Sequence, residues 1–129
     1  MSNPLRYQSL VAWQRADDLF LRLHHLTKQA FPPDERFVLA VQLRRAALSV
    51  PTNIVEGISR HYPGETTQFL RTSWASLAEV GYLLHVARRL DYLDDKTSGE
   101  LEAQVRQVAA PLLGLIRQQQ ARTKRPTPR

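Results

Sequence analysis

Apolar residues recur every three or four positions along most of this chain, and no stretch alternates as a strand would. Four helices are predicted, over about 10–29, 34–59, 63–90 and 95–120. In the first, Ala12, Trp13, Ala16, Leu19, Phe20, Leu23 and Leu26 share one face, with Ser9 placed to cap it. The prolines of "FPPDE" at 31–35 end it, and Asp34 and Glu35 suit the positive start of the next helix. Leu39, Leu43, Ala46, Ala47, Val50, Ile54 and Ile58 form the second core face. Phe69, Leu70, Ser73, Leu77, Val80, Leu84 and Ala87 form the third, behind a Pro63 that fits a first turn. Asp94 caps the fourth, whose stripe is Leu101, Val105, Val108, Ala109, Leu112, Leu115 and Ile116. Short connections between helices of this length predict an all-α, antiparallel up-down-up-down four-helix bundle.

The second helix breaks ordinary helix rules in "LRRAALSVPTNIVEGISR" at 43–60. Pro51 removes a donor and crowds the carbonyl of Ala47, which predicts a kink rather than a break because the apolar spacing resumes at Ile54. Pro111 predicts the same in the fourth helix. Gly57 leaves room for a neighbouring helix. Arg45 is expected near Glu56 or Glu79, with Asn53 completing a polar network that fixes helix register. The second and third helices each carry an extra apolar stripe. Phe37, Val41, Leu48, Val55, Tyr82 and Val86 are therefore expected to bury against another copy of the chain; a wide core face is the competing reading.

The length of 129 residues suits one domain able to bury roughly two thirds of its unfolded surface. The bundle is expected over 1–116, its last helix running to about 120, followed by a basic, disordered tail over 121–129. The chain has no cysteine, which excludes disulfides, thiolate metal sites and a cysteine nucleophile. Residues 1–18 lack a signal-peptide pattern and no stretch could span a membrane, so the cytoplasm is the expected compartment. The adjacent His24 and His25 point about 100° apart on a helix, and His61 and His85 lie in no ligand pattern, so neither metal nor cofactor is expected.

The formal charge is +6, but all twelve acids and only thirteen of the eighteen Lys and Arg precede residue 117. The body thus carries +1, and residues 117–129 carry +5 through Arg117, Arg122, Lys124, Arg125 and Arg129. Such a tail suits non-specific phosphate contact, with Arg44 and Arg60 as added cations; a merely solubilising end is the plain alternative.

Three stretches carry a family resemblance: "LVAWQRADDL", "FPPDERFVLAVQLRRAALSVPTNIVEG" and "FLRTSWASLAEVGYLLHVARRLDYL". Over residues 8–118 the chain resembles the bacterial four-helix-bundle proteins of the 23S rRNA intervening-sequence, or ribosomal-protein-like, family. The resemblance implies a ring-like homopentamer and no known enzyme activity. By fold, size and basic tail the chain is also similar to the accessory variability protein of diversity-generating retroelements, a basic pentamer that binds nucleic acid and a reverse transcriptase. The resulting expectation is a non-enzymatic oligomeric bundle that binds RNA or DNA through pooled cations, with no base-reading motif. The alternative is a protein-interaction scaffold with no nucleic-acid role.

Overall fold

Helices form where the apolar spacing puts them: α1 over Val11–Ala30, α2 over Leu39–Ile58, α3 over Pro63–Arg89 and α4 over Asp95–Lys124. This is seen in a computed structural model that describes residues 3–124, the side chains of Arg36 and Phe37 excepted. Each helix packs on the next and α1 packs on α4, which closes an up-down bundle. All four core stripes meet inside it. Leu19, Leu23, Leu43, Ile54, Leu70, Leu101, Val108 and Leu112 have essentially no exposed surface.

The boundaries differ from expectation at three places. Ser9 does not cap α1; it ends a 3₁₀ turn over Arg6–Ser9, and its hydroxyl donates back to the Arg6 carbonyl at 3.0 Å. Residues Pro33–Phe37 form a second 3₁₀ turn, and the non-helical backbone of Val38 separates it from α2, so Asp34 and Glu35 lie outside that helix. At the other end α4 runs to Lys124 instead of about 120. Ile116 and Gln119 are buried in its last turns, and this packing holds the extra turn. Arg122 and Lys124 are consequently helical rather than part of a tail.

Asp94 does cap α4, accepting from the Thr97 backbone N–H at 2.7 Å. That bond, then the Thr97 side chain and the charges of Lys96 and Arg88, hold the carboxyl below its ordinary range, against a smaller opposing effect of desolvation. A folded-state pKa below the unfolded one gives stability that is present above the unfolded value and lost as pH falls through the folded one. Asp94→Ala should therefore lower the melting temperature at neutral pH. Melts followed by circular dichroism should show the gap closing as the solution is acidified below the usual carboxylate range.

Both internal prolines lie in continuous helix. Pro111 leaves the carbonyl of Gln107, four residues back, without its helical donor. The Arg15 guanidinium supplies one at 2.9 Å, reaching across from α1. Beside it, Arg22 reaches Gln104 and Glu100 on α4, each at 2.6 Å.

The odd residues of α2 are explained by α3. A Cβ on Gly57 would sit 3.1 Å from the Phe69 Cβ and 3.2 Å from the Thr66 carbonyl oxygen, so a side chain there would push α3 back by a few tenths of an ångström. The hydroxyl of buried Thr66 donates to the Gly57 carbonyl at 2.8 Å. One end of the next contact is Ser73, fully buried, whose hydroxyl donates to the Val50 carbonyl beside Pro51 at 2.8 Å. Ser49 and Ser76 then bridge the helices at 2.7 Å, and the Asn53 amide donates to the Ser49 hydroxyl at 2.9 Å. Hydroxyls of α3 thus reach the α2 carbonyls of Val50 and Gly57, and a serine pair bridges the two helices beside them.

That seam replaces the expected register network. Asn53 belongs to it, but Arg45 and Glu79 are exposed and make no ion pair among the described residues. Glu56 points along its own helix to Arg60 instead, at 3.7 Å. The charged groups stay in water because the close approach at Gly57 and the serines leaves no room for long side chains between α2 and α3.

Candidate functional site

The up-down topology brings three separate segments to one end of the bundle: the turn before α1, the corner over 59–62, and the last turns of α4. With them come Arg6, Arg60, His61, Arg71, Arg122 and Lys124. A cleft of about 170 Å³ is lined by Arg6, Arg60, His61 and Arg122, together with Thr66 and Gln119. A neighbouring cleft of about 420 Å³ is lined by Arg71, Lys124, Thr67, Gln120 and Thr123 around Gly64. Among the described residues, no carboxylate lines either cleft.

Arg60 is placed by its own neighbours. Its guanidinium lies 4.5 Å above the Phe69 ring, which keeps the charge on the face of the cleft. The Glu56 partner is half-exposed, and such a pair is worth roughly 0–1 kcal/mol, so it leaves Arg60 free to engage another anion. Among the described residues, Arg122 has a long 3.4 Å contact to the Gln119 side chain and no ion pair. Basic residues at the C-terminal ends of α2 and α4 are ordinary complements to the helix dipole. Arg6 and His61 are not in such positions, and their convergence on the same cleft is the unusual feature.

The opposite end carries charges of both signs. Asp91, Asp94 and Asp95 lie there with Arg89 and Lys96, and Arg88 is occupied by Asp95, through a 2.6 Å bond, and by Asp91. Asp34 and Glu35 face the same region: burial first, and then these two charges, raise the Tyr92 pKa. Asp91 has a left-handed φ of 62° at the end of α3, where the Tyr92 N–H bonds the Ala87 carbonyl at 2.9 Å.

Among the predicted cations, Arg60, Arg122 and Lys124 meet at the basic end, and Arg117 is exposed between one and two turns earlier on α4. Arg125 and Arg129 lie outside the described residues. Arg44 does not join them. It sits about 20 Å back along α2, where it donates to Thr27 on α1 at 3.1 Å. Its charge, after burial and the charges of Lys28 and His25, also helps to lower the pKa of His24. Arg6 and His61 were not assigned to a basic surface from sequence. The available signal was topological: in an up-down bundle, whatever precedes α1 meets the α2–α3 corner.

The expected association surface is only partly free. Leu48 and Tyr82 are exposed by 48% and 64%. Val41 and Val55 are half-buried, and Val55 lines a groove shared with Asn3, Pro4 and Tyr7. Val86 packs against the core, and Leu83 beside it is buried, so the second stripe of α3 is in large part a wide core face. The Phe37 side chain lies outside those described. Among the described residues, no three His, Asp or Glu side chains are grouped to hold a metal ion, and no helix is long and apolar enough to cross a membrane.

The sequence profile of the 23S rRNA-intervening sequence proteins matches residues 8–114. The fold is similar to the crystal structure of a protein of unknown function from the S23 ribosomal protein family of Bacteroides thetaiotaomicron. That likeness has a TM-score of 0.77 at 19% identity, covering 83% of this chain and 96% of the other. No curated protein shows significant similarity to the chain.

Proposed function

The chain belongs to the 23S rRNA-intervening sequence protein family, and we propose that it is a non-enzymatic cytoplasmic bundle that binds RNA or DNA through its basic end. The observation that carries this reading is the meeting of Arg6, Arg60, His61, Arg71, Arg122 and Lys124, from four segments, around clefts that no carboxylate lines. Several cations on one surface neutralise several phosphates at once, which is the main source of sequence-independent affinity. No element is shaped to enter a groove and read bases, so little sequence preference is expected.

Association with further copies, a pentamer by family resemblance, would multiply these contacts. Leu48 and Tyr82 would lie at that contact, and the exposed Arg45 and Glu79 offer charges of opposite sign beside them. A protein-interaction scaffold is the second reading. It is favoured by a small apolar groove of about 160 Å³ between α3 and α4, lined by Trp74, Ala78, Gly81, Val105 and Ala109 over Leu77.

Light scattering on the purified chain with a mixed-sequence RNA pool separates the two. The expected result is a multiple of 14.8 kDa that gains RNA mass at low salt and sheds it at high salt. Failure to take up RNA at any salt concentration would favour the scaffold.

A further inference from the structure

We propose that the smaller basic cleft is a site for the terminal phosphate of a nucleic-acid strand, so that the protein prefers phosphorylated ends to internal positions. This rests on the reading that the basic end binds nucleic acid, and it deepens that reading by assigning one cleft a distinct ligand.

Size and charge both point to a phosphomonoester. The cleft holds about 170 Å³, below the roughly 300–1,000 Å³ of pockets that enclose a drug-sized ligand, but adequate for a phosphate group. Its walls come from the Arg6 turn, the Arg60–His61 corner, the start of α3 and the end of α4. Donors therefore surround the cavity instead of lying along a track, as they would for a continuous backbone. Three arginines and a histidine, all solvent-exposed, line this partly open cleft, with no acid among the described residues in the lining. A terminal phosphate carries close to two negative charges near neutral pH, whereas an internal phosphodiester carries one. Arginine forks also match the several oxygens that a terminal group presents. Around the cavity, the Phe69 ring under Arg60 limits the movement of that guanidinium, while Arg122 has a long contact to the buried Gln119. The larger cleft beside it, with Arg71 and Lys124, is placed to receive the strand leading away from the end.

The test compares one short RNA in three forms: 5′-phosphorylated, 3′-phosphorylated and with both ends hydroxyl. Binding to the full chain is measured by fluorescence anisotropy at about 0.1 M salt, with inorganic phosphate titrated separately by NMR. At least one phosphorylated form should bind roughly tenfold tighter than the hydroxyl form, the gain expected from one further neutralised phosphate charge. That preference should disappear in Arg60→Gln and in Arg122→Gln, each checked for a native circular dichroism spectrum, while some affinity for the hydroxyl form remains. Arg6→Gln, in the turn before α1 and outside the helices, provides a third variant with little bearing on folding.

Equal binding of all three forms would overturn the proposal and leave the nucleic-acid reading standing. Binding of inorganic phosphate without binding of any RNA would overturn both, leaving a site for free phosphate alone.

Discussion

Leu70→Ala should lower the free energy of unfolding by about 2–5 kcal/mol, as measured by urea denaturation. Leu70 is fully buried on α3, and one of its methyl groups comes within 3.7 Å of where a Gly57 side chain would begin. The α2–α3 seam is fixed on either side of it by Thr66 on the Gly57 carbonyl and Ser73 on the Val50 carbonyl. Backbones held by such bonds cannot collapse to fill the lost volume, which places the expected cost toward the upper part of the range. For a domain whose total stability is of order 5–15 kcal/mol, this is a large fraction. Leu48→Ala is the contrast. Leu48 is 48% exposed, and in a free subunit its truncation should cost within about 0.5 kcal/mol. A cost approaching that of Leu70→Ala would mean that another copy covers Leu48.

Reversing two charges at the basic end should have the largest effect on binding. Arg60→Glu with Arg122→Glu removes two of the cations lining the smaller cleft and adds two repulsive groups. Two lost phosphate contacts correspond to roughly a hundredfold weaker RNA binding near 0.1 M salt, and the salt slope should fall by about two. Arg44→Glu with Arg106→Glu is the matched control. It changes the same charge on the body of the bundle, but Arg44 is engaged with Thr27 and Arg106 with Glu102, away from the clefts. RNA affinity should therefore change several-fold at most. Equal losses in the two variants would show that total charge, and not the basic end, governs binding.

The helices and the core could be read directly from the sequence because periodic burial is a local property. Leu43, Val50, Ile54, Leu77, Val80, Leu101 and Val108 were expected in the core and are buried there. Gly57 as a point of close approach was also legible, since few other causes place glycine inside such a helix. The start of α2 was not, because two prolines allow either a first helical turn or a 3₁₀ turn. Arg45 was misplaced for a related reason. Its border position on α2 suggested a buried charge network, whereas the serine and threonine hydroxyls of α3 already satisfy the seam and exclude longer groups.

The site was legible only in part. Arg60, Arg122 and Lys124 could be named as cations, but the charges of Arg122 and Lys124 were assigned to a tail, and both residues prove to be helical. Arg6 and His61 carry no motif, and their roles depend on contacts between segments far apart in sequence. Arg44 and Arg60 look alike in the sequence, yet one is occupied within the bundle and the other opens on a cleft.

The most direct test of the basic end as the nucleic-acid surface is to cross-link bound RNA to the full chain with ultraviolet light and map the modified peptides by mass spectrometry. Cross-links should concentrate in peptides containing residues 57–71 and 117–124, and should be lost at high salt. Cross-links centred on the opposite end, around residues 88–96, or spread evenly over the helices would contradict this assignment.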